Sequence, residues 1–112
     1  MTIFEKIAAG QIPAKIVHES DDFIAFHDVN PQAPVHVLIV PRKCITRLAA
    51  AEAANAGLLG RMLLATRSIA EKLGVIDSGY RVVINNGRDA GESVPHLHIH
   101  LLAGRPLAWP PG

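Results

Sequence analysis

Apolar and polar positions change period several times along the chain. Ile3, Phe4, Ile7 and Ala8 recur at helical spacing, and Gly10 and Pro13 follow, which predicts a short amphipathic helix over residues 3–9. Residues 15–19 and 23–27 are β-rich runs divided by the acidic turn Ser20-Asp21-Asp22, the pattern of a hairpin. Residues 28–34 form a loop stiffened by Pro31 and Pro34. Residues 35–40 are almost wholly apolar and β-branched, as expected of a central strand covered on both faces, and Pro41 ends it. Thr46 is placed to cap a brief turn through Leu48 and Ala49, and residues 52–73 read as the longest helix, stopped by Gly74. Its apolar stripe, Leu58, Leu59, Met62, Leu63, Ile69, Ala70 and Leu73, is wider than packing on one sheet requires. Gly57 and Gly60 lie inside that helix, as either a close approach by another backbone or a frayed first turn would explain. Residues 80–84 predict a strand and residues 85–94 a polar, glycine-containing loop. In residues 95–102 three histidines alternate with apolar residues, so Leu97, Ile99 and Leu101 are expected in the core and His96, His98 and His100 together on the opposite face.

Composition narrows the possibilities. A chain of 112 residues suits one domain, residues 1–112, with 103–112 as an extended, proline-rich tail carrying the only tryptophan, Trp109. Its 49% hydrophobic content and mean hydropathy of +0.24 exceed what so small a globule buries comfortably, which favours a homodimer. Eleven basic and ten acidic residues, with no basic run, argue against nucleic-acid binding. The charged start and the lack of any long apolar span predict a cytoplasmic protein without a membrane segment. The lone Cys44 rules out an internal disulfide and a Cys-x-x-Cys metal site.

Three histidines on one strand face admit three readings. A polar face that happens to use histidine is the bland one, although threonine or lysine would serve as well. Zinc ligation is the second, but the outer pair would sit roughly 13 Å apart along a strand, whereas each ligand nitrogen must come within about 2.1 Å of the ion. Imidazole catalysis is the third: at neutral pH one ring can be a nucleophile while another is protonated, which suits phosphoryl or nucleotidyl transfer. The loop just before the histidines could cradle a phosphate through backbone N–H groups, with Asn85, Arg88 and Ser93 adding side-chain donors.

The run His96-Leu97-His98-Ile99-His100-Leu101-Leu102 fits the His-x-His-x-His-x-x pattern and resembles the histidine triad (HIT) family. Ile3-Phe4-Glu5-Lys6-Ile7, Gln11-Ile12-Pro13-Ala14-Lys15, Ala25-Phe26-His27-Asp28, Pro31-Gln32-Ala33-Pro34, Val35-His36 and the closing Trp109-Pro110-Pro111-Gly112 extend the likeness over essentially the whole chain. They look like the Hint branch, the nucleoside phosphoramidate hydrolases.

That resemblance implies an α+β HIT-like fold, an antiparallel five-stranded sheet with one long and one short helix, joined to a partner's sheet as ten strands in a homodimer. It implies hydrolysis of the P–N bond of AMP– or GMP–amine conjugates through a nucleotidyl-histidine, with no cofactor and no metal. By position, His98 corresponds to the nucleophile, His96 and His100 to its neighbours, and His36 to a fourth family histidine, with Ser93 a candidate proton donor. Asp28 corresponds to the ribose acceptor, and Ile3, Phe4, Ile7, Phe26, His27 and Val29 to the base pocket. Asn85, Gly91, Ser93 and Val94 match the phosphate set, alongside His98 and His100, and Trp109 falls in the tail that approaches the partner's site.

Glu92 stands where glutamine is usual, so a carboxylate is expected near the phosphate, with weaker binding or altered leaving-group preference. Where relatives hold structural zinc with a Cys-x-x-Cys pair, this chain has Thr2 and Glu5, and Cys44 takes a place often held by histidine. Dinucleoside polyphosphate hydrolysis and a nucleotide-binding interaction module with incidental turnover are the other functions compatible with the triad.

Overall fold

In a β-strand successive side chains point to opposite faces, so a strand buried along nearly its whole length must be covered twice. β3 (Val35–Pro41) is that strand: all but its first residue are buried. The computed structural model describes all 112 residues and places β3 at the middle of one antiparallel sheet. The other strands are β1 (Ile16–Glu19), β2 (Phe23–His27), β4 (Tyr80–Val83) and β5 (Ile99–Ala103), in the order β1-β2-β3-β5-β4. β2 and β5 flank β3, with Ala25 opposite Ile39 and Ile39 opposite Ile99.

One face of the sheet lies under α2 (Ala56–Lys72). Met62, Ala65, Thr66, Ile69 and Ala70 are its buried residues, spaced as one helical stripe. All but Thr66 pack with Phe23, Ala25, Val37, Ile39, Ile99 and Leu101 in the larger core. The one hydroxyl in the stripe, on Thr66, is satisfied by donating to Leu63 O at 2.6 Å. Gly74, at φ +74°, ends the helix as expected, because a left-handed residue there carries no Cβ penalty. On the other face the short α1 (Ile3–Ala8) lays Phe4 against Ile24, Phe26, Leu38 and Val40.

Four sequence expectations change. The long helix begins at Ala56 rather than at residue 52, because residues 48–50 and 53–55 form two separate 3₁₀ turns. Asn55 Oδ1 accepts the Glu52 N–H at 2.8 Å, a local bond that competes with helical pairing. The first of these turns starts at Arg47 without a side-chain cap, so Thr46 does not cap it. The histidine strand is also shorter than residues 95–102. β5 starts at Ile99, since its ladder would next meet Pro41, which has no N–H and whose carbonyl accepts from a histidine ring. Leu97 N–H turns instead to Ile45 O at 2.6 Å. Leu97, Ile99 and Leu101 are buried as expected, but the three histidines do not share one open strand face.

At the end of β5, Gly104 at φ +94° turns the chain so closely past Pro34 that a Cβ would come within 2.8 Å of it. The tail beyond it brings Trp109 beside β4, lining a cavity of about 560 Å³ with Arg81, Val83, Asn85 and Asp89.

Candidate active site

Alternation places His36, Leu38 and Val40 of β3, Ile24 and Phe26 of β2, and His100 of β5 on the face away from α2. His98 joins them from the segment just before β5. Its Nδ1 lies 2.7 Å from His96 O. A carbonyl oxygen only accepts, so Nδ1 carries the proton and Nε2 keeps its lone pair. The His98 ring is held edge-on between Phe4, at a centroid distance of 5.0 Å, and His100, at 4.9 Å. The imidazole is thus fixed and buried, with the Nε2 lone pair uncommitted.

His100 is oriented the same way, through its neighbour. Gln32 N–H donates to His36 Nδ1 at 3.0 Å, which leaves the His36 proton on Nε2. His36 Nε2–H in turn meets His100 Nδ1 at 2.9 Å. His100 must therefore carry its own proton on Nε2, pointing a neutral donor out of the ladder. Burial, with His98 and His36 beside it, pushes His100 down to about 4, against a partial rise from Asp28. Burial likewise lowers His36, and the Asp28 carboxylate, 3.4 Å from His36 Nε2, opposes it. At neutral pH the pair is uncharged and donates a hydrogen bond rather than a proton.

His96 is used differently. It is fully buried and both ring nitrogens are engaged. Nε2 donates to Pro41 O at 2.7 Å, and Nδ1 accepts from Thr2 Oγ1 at 2.7 Å. Thr2 Oγ1 also accepts Glu5 N–H at 3.1 Å while Glu5 Oε1 takes Thr2 N–H at 2.9 Å, a capping box that starts α1. Thr2 thus links the helix carrying Phe4 to the histidine whose own carbonyl orients His98. Burial lowers His96, which keeps the ring neutral. Sequence reasoning passed over this role for Thr2, although Thr2-Ile3-Phe4-Glu5 is a legible capping-box pattern.

In the loop ahead of the histidines, Gly87 and Gly91 take φ values of +88° and +82°, bracketing a tight turn over residues 88–90. Gly91 N–H is spent on Arg88 O at 3.0 Å, and Glu92 N–H on Gly87 O at 3.1 Å, so neither is free for an anion. Ser93 and Val94 keep unpaired backbone N–H groups, and Asn85 lies half-buried at the loop's start. Arg88 is almost fully exposed and pairs with Asp89. The carboxylate expected to disturb a phosphate is occupied: Arg47 grips Glu92 through Nε at 2.9 Å and Nη2 at 3.0 Å, and Gly87 N–H adds a third bond at 3.1 Å. Arg47, followed by the Gly87 N–H, holds the Glu92 carboxyl below its usual range.

A cavity of about 710 Å³ opens beside this ladder, lined by Lys15, His27, Asp28, Val29, Pro34 and His36 among others. The structure therefore brings His27, Asp28 and Val29 to one cavity edge. Phe4 and Phe26 are buried in the neighbouring aromatic cluster, Ile7 is half-buried, and Ile3 is half-exposed on α1. Trp109 stands apart on the tail, 82% exposed.

Two clusters have the composition of metal sites, and neither offers a full set of lone pairs. In Asp28, His36 and His100, the Gln32 N–H forces the His36 proton onto the nitrogen that would have to ligate. In Glu5, Cys44 and His96, both His96 nitrogens are taken, and burial raises the Cys44 thiol, favouring its protonated form.

The HIT domain family matches residues 9–107. An uncharacterized HIT-like protein of Synechocystis is 53% identical over 111 residues, covering 99% of this chain and 96% of that protein. A HIT family hydrolase from Legionella pneumophila has a TM-score of 0.97 at 41% identity, over 100% of both chains. A histidine triad nucleotide-binding protein from Candida albicans gives a TM-score of 0.83 at 31% identity, over 98% of this chain and 83% of that one. The residues that the ladder of rings orients are those of the triad pattern, and with a family match spanning nearly the whole chain, this protein belongs to the histidine triad (HIT) family.

Proposed function

We propose that this protein is a purine nucleoside phosphoramidate hydrolase of the Hint branch. The observation that carries the reading is the fixed tautomer of His98, whose Nδ1–H is committed to His96 O and whose Nε2 is free to attack. His98 Nε2 forms a bond to the α-phosphorus as the P–N bond breaks, and the amine leaves with that electron pair. The amine takes a proton through Ser93 Oγ, which regains one from solvent. The nucleotidyl-histidine carries its positive charge on a ring already hydrogen-bonded to His96 O. Water then attacks phosphorus, gives its proton to solvent, and restores the His98 lone pair as nucleoside monophosphate departs. His100 Nε2–H and the N–H groups of Ser93 and Val94 are the donors for the phosphoryl oxygens. The nucleoside occupies the cavity edged by His27, Asp28 and Val29, where Asp28 accepts from the ribose. No cofactor or metal takes part in this scheme.

The working unit is a homodimer. α2 leaves Leu63 and Leu64 exposed at 45% and 64%, a Cβ on Gly60 would meet nothing within its own chain, and β4 is half-buried at every position on the sheet edge. No helix is long and apolar enough to cross a membrane, and a cytoplasmic setting fits the free Cys44 thiol.

Release of AMP from an adenosine 5'-phosphoramidate with a fluorescent amine tests this reading, with diadenosine polyphosphate as the competing substrate. Turnover of the phosphoramidate that His98→Ala abolishes supports it. Preference for the polyphosphate, or no turnover by folded protein, overturns it.

A further inference from the structure

The loop over residues 87–94 carries two carboxylates in different surroundings. Asp89 has a side chain 90% exposed and pairs with Arg88 in open solvent. The Glu92 side chain is only 12% exposed, and it directly precedes Ser93, whose backbone N–H, like that of Val94, is unpaired. A carboxylate held largely out of water beside anion donors opposes an anion there, because solvent screens it poorly. Its charge also reaches the His98 ring. Here Arg47 covers it side-on, with Nε 2.9 Å from Oε1 and Nη2 3.0 Å from Oε2, and Gly87 N–H donates to Oε1 at 3.1 Å. Arg47 is placed independently of that pair. Ile45 O accepts Leu97 N–H at 2.6 Å and Ala49 N–H donates to Asn86 Oδ1 at 2.8 Å, so the backbone is pinned on either side of it.

We propose that Arg47 is a positioning residue for anion recognition: by masking the Glu92 carboxylate it lets this loop accept a phosphate that the bare carboxylate would repel. With the mask in place the pair carries no net charge, and the N–H groups of Ser93 and Val94 act on the ligand unopposed. Removing the guanidinium alone leaves Glu92 charged, with Gly87 N–H as its remaining donor, and so adds one negative charge beside the anion. Removing both charges restores neutrality although the bridge is gone. That asymmetry separates an electrostatic mask from a mere brace, because a brace is lost in both variants. The effect also follows the charge of the ligand and leaves an uncharged nucleoside untouched. No covalent bond changes at Arg47. This inference rests on the proposed reading of the loop as the phosphate site.

The test is calorimetric titration of the full-length protein with AMP, and with adenosine as the uncharged control, at low and high KCl. Arg47→Ala should weaken AMP binding by about tenfold, the scale of one partly screened unit charge. Adenosine affinity should stay within about twofold, and the AMP deficit should shrink as salt rises. Arg47→Gln keeps an N–H for Glu92 without the charge, so it should show the same loss and serves if Arg47→Ala folds poorly. Adding Glu92→Gln to either variant should return AMP affinity to within about threefold of wild type, because the repelling charge is gone. Undiminished AMP binding in both Arg47 variants, an equal loss for adenosine and AMP, or a double variant as weak as the single one would each overturn the proposal. Binding needs no turnover, so a wild type that binds AMP but leaves the phosphoramidate intact sinks the proposed reaction and not this mask, while absence of AMP binding sinks both.

Discussion

The two faces of the sheet share the same strands and differ in almost everything else. Beneath α2 the thirteen-residue cluster is entirely apolar, and among the four buried polar residues of the molecule only Thr66 belongs to that side. The other three, His36, His96 and His98, lie on the face that carries α1. Neighbouring residues of one strand thus serve opposite ends: Val37 and Ile39 hold the fold while His36 between Val35 and Val37 orients a ring. The separation is possible because strand side chains alternate, so chemistry on one face adds no polar group to the core on the other. Stability and reactivity are then separable by substitutions one residue apart.

The largest expected effect is on the reactive face. His98→Ala should lower phosphoramidate kcat by on the order of 10³-fold or more and leave the unfolding midpoint within a few degrees of wild type. On the sealed face the pattern inverts. Leu101→Ala should cost about 2–5 kcal/mol of stability, measured by denaturant unfolding, with kcat per folded molecule unchanged. A Leu101→Ala enzyme that is stable but slow would dissolve the distinction between the faces.

Thr2→Val sharpens the comparison, since it strips the buried His96 Nδ1 of its donor and α1 of its cap. A loss of about 1–3 kcal/mol follows from the unsatisfied nitrogen, and Thr2→Ser should restore it, as thermal unfolding of the three proteins would reveal. Acid provides a subtler probe. His100 stands at about 4 when folded, and burial lowers His36 and His96 in the same direction. An unfolded histidine titrates near 6.5, so below that pH the unfolded chain binds protons the folded one refuses. This contribution to stability is complete above about pH 6.5 and declines as pH falls toward 4. Unfolding midpoints between pH 7.5 and 5 should drop in the wild type and drop less in His100→Gln. The smallest effect is expected at Glu92. With Arg47 closing on it, Glu92→Gln should change KM by less than about threefold and leave the unfolding midpoint close to wild type; a much tighter KM would mean that the carboxylate charge reaches the phosphate after all.

Much of this arrangement was legible in the sequence, and the illegible part has a common cause. Alternation at residues 97–101 and the nearly continuous apolar run at 35–40 located the two strands that carry the site, because burial on one or both faces leaves a period in the side chains. What it could not locate was where β5 begins, a matter of Pro41 on the neighbouring β3 lacking an N–H two positions past the last pair. Nor could it separate the roles of the three histidines. Those depend on which group each ring nitrogen meets: Gln32 N–H for His36, His96 O for His98, Pro41 O and the Thr2 hydroxyl for His96. Backbone donors and acceptors leave no residue-type signature, and Thr2 reaches His96 across 94 positions of chain. Glu92 shows the same limit, since its neutralising partner Arg47 lies 45 residues away.

The central claim is that His98 Nε2 attacks phosphorus, and intact-protein mass spectrometry after rapid acid-free quenching tests it most directly. Mixing the protein with an adenosine 5'-phosphoramidate should produce a species heavier by one adenylyl group, mapped by fragmentation to His98, appearing before steady state and absent from His98→Ala. Steady release of AMP with no such adduct, or an adduct that persists in His98→Ala, would contradict the account.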